Sequence, residues 1–277
     1  MTTSTQTNLV HEALSKAPQA TLMFWVVKIC ATTVGETGGD AVSMTMKLGY
    51  LTATLIFLGF FVVTLAAQVA AKRYHPLTYW LVVVATTTVG TTTSDFIDRT
   101  LHLGYTVSSA MLLGLVIAVL IAWKLTTGKI AADKITTRKD EVFYWLTILV
   151  SNTLGTALGD FTSETIPDLM GKIAAAPAGG WDPWGFELAA VLFAGLIAIV
   201  ALLHFTRLLP QTILFWAAYV LTRPLGATLG DTLTKPHVQG GLNLDRIAAT
   251  AVIAVAMVVL VLLTPRLRRP ATAPVAA

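Results

Sequence analysis

A Trp, a Gly ten residues on and an Asp five residues after that recur four times in this chain. The copies are Trp25/Gly35/Asp40, Trp80/Gly90/Asp95, Trp145/Gly155/Asp160 and Trp216/Gly226/Asp231. Each Asp lies within a long apolar stretch. A carboxylate placed in lipid is costly unless it is paired, protonated or bound to a cation, so it marks a functional site by default. On a helix, the positions eight, eleven and fifteen residues after the Trp share one face. They read Thr33, Glu36, Asp40; Thr88, Thr91, Asp95; Thr153, Thr156, Asp160; and Pro224, Ala227, Asp231. Thr37, Thr92, Asn152 and Thr228 add neighbouring oxygens, and Ser43, Asp98, Ser163 and Thr234 stand one turn beyond the Asp. An all-oxygen set with no matched Cys or His favours hard cations such as magnesium, calcium or manganese over zinc or copper. Asp40, Asp95, Asp160, Asp231 and Glu36 are therefore candidate ligands of a divalent cation. Thr33, Thr37, Thr88, Thr91, Asp98, Asn152, Thr153, Thr156 and Thr228 are candidate supporting donors.

The competing reading is structural, an ion-pair and hydrogen-bond cluster that fixes helix packing. Six acids face only Lys28 and Arg223 within the helices, which argues for protons or a bound cation as further compensation. Arg223 is the only Arg within a motif helix. We expect it to act as counter-ion to an acid of another repeat, the alternative being a side chain that snorkels to the interface. Gly35/Gly39, Gly155/Gly159 and Gly226/Gly230 are spaced for close helix packing, and Gly90 is matched with the small Ser94. An aromatic residue precedes each Trp (Phe24, Tyr79, Tyr144, Phe215), and these pairs read as interfacial anchors. Pro224 offers a point where the fourth motif helix can unwind and free carbonyls.

These residues need helices in a membrane to position them. The chain has 277 residues, 55% hydrophobic and 12% charged, with a mean hydropathy of +0.72. A soluble domain carries about a quarter charged residues. Apolar stretches near 21–44, 49–71, 77–98, 105–124, 142–163, 186–206, 211–234 and 244–264 are each long enough to span a bilayer. The fold expected is all-α and integral to the membrane, with eight transmembrane helices built as four parallel two-helix repeats. Each repeat is a hairpin with the motif on its odd helix, and the odd helices lie inside. Residues 1–124 form a first half, 125–140 a basic linker, 141–264 a second half and 265–277 a disordered tail. The loop 164–185, rich in Ala, Gly and Pro, has room for a short helix.

Basic residues set the orientation. Lys16, Lys72, Arg73, Lys124, Lys129, Lys134, Arg138, Lys139, Arg207, Arg266, Arg268 and Arg269 fall on one side; Lys47, Arg99, Lys172, Lys235 and Arg246 fall on the other. The positive-inside rule then puts both termini in the cytoplasm. The first apolar run holds a motif and no small-residue cleavage site, so no removable signal peptide is expected. The lone Cys30 excludes an intramolecular disulfide. Phosphate-binding Gly loops, zinc-protease helices and nucleophile elbows are missing from the sequence, so the reading is not an enzyme. The expected partners are the lipid bilayer and a small ion, with no nucleic acid and no organic cofactor; the oligomeric state is open.

The run Phe24-Trp25-Val26-Val27-Lys28-Ile29 with Gly35-Glu36-Thr37-Gly38-Gly39-Asp40, and the later run Phe215-Trp216 through Leu221–Asp231, resemble a bacterial family catalogued as uncharacterised membrane-anchored proteins. The resemblance covers nearly the whole chain and implies a multi-pass protein of the bacterial inner membrane. Glu36-Thr37-Gly38-Gly39-Asp40 is also similar to the Glu-x-Gly-Asp-basic-hydroxyl motif of manganese/calcium–proton exchangers. It departs by an inserted Gly and by Ala41 in place of the basic residue. The expected function is secondary transport of a manganese-like divalent cation, with efflux as the direction the resemblance implies and protons as the counter-ion. The alternatives are a proton-coupled carrier of a small solute, in which Arg223 holds an anionic group, and a membrane scaffold or sensor whose acids lock the helices.

Overall fold

The computed structural model describes residues 17–71, 74–130, 135, 137–165 and 185–267, and every regular element among them is helical. The loop 164–185 beyond Thr165, most of the 131–136 linker and the tail beyond Leu267 lie outside the described residues. Eight long helices result: α1 (Leu22–Asp40), α2 (Tyr50–Ala70), α3 (Pro76–Asp95), α4 (Tyr105–Thr127), α5 (Arg138–Asp160), α6 (Phe186–Thr206), α7 (Gln211–Thr234) and α8 (Arg246–Leu267). Local chemistry starts them. Thr21 caps α1 through the Phe24 N–H, Pro76 sits in the first turn of α3, and Thr137 caps α5 through the Asp140 N–H.

Six of the eight, α2 and α4 to α8, are long and apolar enough to cross a membrane. The chain is thus a helical membrane protein of the multi-pass kind. α1 and α3 fall short of that composition because their buried faces carry Thr32, Thr33, Glu36, Thr37, Thr86, Thr87, Thr88, Thr91 and Thr92. Both nevertheless stand in one ring with α5 and α7, packed in the order α1–α3–α5–α7 and back to α1. The even helices form an outer layer whose apolar side chains remain exposed, among them Leu55 and Val63 on α2, Val191 and Leu202 on α6, and Val252 and Val255 on α8.

The outer layer is offset by one repeat. α2 packs along α3, α4 along α5, α6 along α7, and α8 returns to α1. An even helix meets the odd helix of its own repeat chiefly near the turn that joins them. The hairpin expected from sequence is thus a unit of chain order and not of packing, because each even helix steps sideways to lie along the odd helix of the next repeat. That sideways step is encoded twice in the same words. Leu48-Gly49-Tyr50 and Leu103-Gly104-Tyr105 follow residues with positive φ, Lys47 at 58° and His102 at 55°, and the two glycines take φ of 77° and 80°, which their missing side chains permit.

Glycines let the ring close. A Cβ on Gly35 would overlap Thr87 of α3, one on Gly155 would overlap Arg223 of α7, and one on Gly226 would overlap Thr32 of α1. At Gly90 the obstacle is backbone, with Asn152 C and Thr153 N both 2.9 Å from the added carbon. Every notch, ten positions after its own Trp, therefore takes the residue seven positions after the Trp of the next repeat; the same contact at all four steps closes the ring with matched positions at one height and the odd helices parallel. Gly90→Ala has nowhere to push, and overpacking of this kind costs about 1–3 kcal/mol. We expect a lowered thermal midpoint in detergent for Gly90→Ala. Gly59→Ala on α2, where the new methyl meets nothing within 4 Å, should leave the midpoint unchanged or raise it. Equal behaviour of the two would remove the role assigned to the notch.

The second glycine of each pair faces the residue eleven positions after the next repeat's Trp. An added Cβ would lie 3.0 Å from Thr91 at Gly39, 2.9 Å from Glu36 at Gly230 and 3.3 Å from Ala227 at Gly159. The neighbour of Gly159 is a single methyl, and that of Gly230 is the stem of a Glu side chain, so neither meets the overlap that Gly155 and Gly226 do. The helices draw closest at the first glycine and part slightly at the second.

Candidate functional site

Because matched positions share a height, the ring can be described in layers, counted in residues from each motif Trp. The first layer is aromatic. Phe24 meets Trp80 (ring centroids 5.5 Å), Tyr79 meets Trp145 (5.5 Å), Tyr144 meets Trp216 (5.8 Å) and Phe215 meets Trp25 (5.7 Å). Each repeat thus touches the next, and the fourth touches the first. The Tyr79 and Tyr144 hydroxyls hydrogen-bond at 2.6 Å inside this layer. The expectation of interfacial anchors is corrected here. Six of the eight rings are buried because they pack inward on one another and close one end of the ring.

Three residues further along, Lys28 of α1 lies over the ring of Tyr219 on α7, 4.2 Å from its centroid. At seven residues stand Thr32, Thr87, Asn152 and Arg223, all fully buried. Thr87 donates to the Ala31 carbonyl of the preceding repeat (3.2 Å) and Thr32 to the Thr222 carbonyl (3.2 Å), while the Asn152 amide donates to the Thr86 hydroxyl (3.0 Å). At eleven residues stand Glu36, Thr91, Thr156 and Ala227. Arg223 Nη2 donates to all three polar members of that layer: Glu36 Oε2 at 3.0 Å, Thr156 Oγ1 at 2.7 Å, and Thr91 Oγ1. One guanidinium from the fourth repeat thus reaches the other three repeats, which places it on the axis, and Ala227 leaves it the space. α7 runs unbroken through Pro224, with the Pro224 carbonyl taken by the Thr228 hydroxyl at 3.0 Å.

The fifteenth position holds the four Asp, each with 2–3% exposure. They are arranged in two pairs. Arg99 Nε lies 2.8 Å from Asp95, and its Nη2 lies 3.8 Å from Asp160 and 3.3 Å from Glu164. Lys235 Nζ lies 3.3 Å from Asp231 and 3.5 Å from Asp40, and Arg246 Nε lies 3.6 Å from Asp40. In the first three repeats the helix widens into a π-turn straight after the Asp, at Ala41–Thr45, Phe96–Thr100 and Phe161–Thr165. Such turns occur often at functional sites because they re-aim side chains. The fourth repeat continues as α-helix to Thr234.

Several sequence expectations change on this geometry. Glu36 does not join the four Asp; it lies one turn away and is held by Arg223. Positions eight and fifteen share a face but are separated by about 10 Å along a helix, so Thr33, Thr88 and Thr153 stand two turns from the Asp layer. Thr33, Thr37, Thr88, Thr92, Thr153 and Thr228 bond carbonyls of their own helices. Asp98 is buried beside Ser94, 3.4 Å away. Among the described residues no three of His, Cys, Asp and Glu assemble as a metal-holding group. Arg99, Lys235 and Arg246, assigned to loops for their topology, are drawn into the acidic layer. Extending the ladder one turn would have found two of them: the nineteenth position reads Met44, Arg99, Glu164, Lys235, basic in alternate repeats. Arg246 sits on α8 and has no such signal.

A family model described as a repeat of unknown function (DUF347) matches residues 23–74, 78–129, 143–208 and 214–270. These four stretches coincide with α1–α2, α3–α4, α5–α6 and α7–α8. No curated protein and no solved structure matches the chain.

Proposed function

The chain belongs to the DUF347 repeat family, and on that premise we propose that it is a proton-coupled secondary transporter of a small solute, with its path along the ring axis. The observation that carries this reading is the buried acidic layer. Among the described residues, Asp40, Asp95, Asp160 and Asp231, with the half-exposed Glu164 at their edge, face three basic groups, Arg99, Lys235 and Arg246. A layer with spare carboxylates takes up protons and, in doing so, loosens its hold on the bridging cations. Arg223–Glu36 on the axis and the aromatic layer beyond it are the barriers that a solute meets next. In this reading all eight helices cross the bacterial inner membrane, both termini are cytoplasmic, and the acidic end faces outward, as the loop charges support.

A divalent cation of the manganese class is the second reading, favoured by the same carboxylate excess. It requires Lys235 and Arg99 to withdraw before three oxygens converge. Proteoliposomes enclosing a pH-sensitive dye, given inward gradients of chloride, nitrate or manganese, test both. We expect one gradient to drive a change in internal pH at least several-fold above protein-free vesicles. Asp95→Asn with Asp160→Asn should abolish that change. Traces equal to protein-free vesicles under every gradient would instead leave the acids as a helix lock.

A further inference from the structure

We propose that Lys28, Arg223 and Tyr219 form a binding site for one small monovalent anion on the ring axis, between the aromatic layer and the Arg223–Glu36 pair. That this anion is the transported solute rests on the transport reading above; the site itself does not.

The three side chains come from α1 and α7, are fully buried, and sit within about one turn of each other along the axis. Lys28 Nζ has no hydrogen-bond acceptor, and its one described contact of polar character is the face of Tyr219. A ring face compensates an ammonium only in part. Arg223 spends Nη2 on Glu36, Thr91 and Thr156, while its Nε and Nη1 have no partner. The Tyr219 hydroxyl has none either. All of these unpartnered groups are able to donate, and donors left bare in a lipid-embedded interior are costly. The charge count points the same way. Glu36 is the partner of Arg223, and among the described residues no carboxylate stands at ion-pair distance from Lys28, so a single negative charge would balance the region. The neighbours limit its size: the aromatic layer closes one side, and helices in contact at Gly155 and Gly226 leave no room for a bulky ion. A proton taken at the acidic layer and a monovalent anion held here would load the carrier without adding net charge.

The test uses the full chain purified in detergent, at constant sodium, with gluconate exchanged stepwise for chloride or for nitrate. The thermal midpoint is read at each step, because a ligand that binds only the folded state raises it. Wild type should show a saturable rise with chloride, with nitrate or with both, the two arms separating a spherical from a planar anion. Lys28→Met should lose the concentration dependence. Tyr219→Phe should be at least as stable as wild type in gluconate but need several-fold more anion for half-saturation, and it decides the matter if Lys28→Met fails to fold. No rise in wild type, or the same half-saturation in wild type and Tyr219→Phe, overturns the site. Saturable binding with silent proteoliposomes would sink the transport reading and leave the site. Proton-coupled flux without Lys28-dependent binding would do the reverse.

Discussion

Arg223→Met should destabilise the protein by about 3–5 kcal/mol, the usual consequence of leaving one member of a buried ion pair alone. Met keeps the stem whose Cβ and Cγ fill the notch at Gly155, so the loss reports the guanidinium and not a cavity. The stranded group is Glu36, 3% exposed and 3.0 Å from Arg223 Nη2, together with the Thr91 and Thr156 hydroxyls that the same nitrogen serves. Glu36→Gln alone should also destabilise, since it removes the one carboxylate that pairs with Arg223 among the described residues. The double variant should lose less than the two single losses added, with a coupling of about 2 kcal/mol, within the range of residues in one network. Unfolding in mixed micelles of rising denaturing-detergent content would supply the four stabilities. Additive losses would mean that the pair does not couple the first repeat to the fourth.

The second large effect belongs to Arg99. Among the described residues it is the one basic group at ion-pair distance from Asp95 and Asp160, both nearly fully buried. Its own side chain is 29% exposed, so the loss in Arg99→Met should fall at the lower end for such pairs, about 3 kcal/mol. Arg246→Met makes the contrast. Asp40 keeps Lys235 at 3.5 Å when Arg246 is removed, so no buried charge is left alone and the expected loss is under about 1 kcal/mol. Adding Asp95→Asn and Asp160→Asn to Arg99→Met should restore most of the midpoint. Equal thermal midpoints for Arg99→Met and Arg246→Met would show that the two ends of the acidic layer are not organised as separate pairs.

The helices and the fourfold motif were legible in the sequence because both rest on local rules: apolar length, and a repeat that keeps its internal spacing across four copies. The spacing of small residues four apart marked the contact faces for the same reason, although it could not rank Gly155 above Gly159 or Gly226 above Gly230, since that depends on the neighbour's side chain. What could not be read was which helix each face meets. Lys235 and Arg99 look like loop charges until the ring brings Asp40 and Asp160 from neighbouring repeats beside them. The aromatic pairs look like membrane anchors until the next repeat's Trp arrives at the same height. The offset of the outer layer has no signal within any single repeat, since α8 meets α1 across more than 200 residues of chain. Glu36 misled for a related reason. It shares a helix face with Asp40, but a shared face extends along the axis, and its partner is the Arg of another repeat, reaching from the layer one turn closer to the aromatic end.

The one-repeat offset bears on how such a molecule could be assembled from smaller pieces. Two consecutive repeats end with an even helix seeking an odd helix that their own chain does not contain, and begin with an odd helix left bare. Two copies related by a twofold axis would satisfy both deficits at once and regenerate a closed ring, since such an interface is self-complementary. The nineteenth position already obeys that twofold rule, basic in the second and fourth repeats and not in the first and third. The covalent four-repeat chain therefore has the arrangement of a linked dimer, and linkage lets one quarter carry an Arg at 223 where its counterparts carry Thr or Asn.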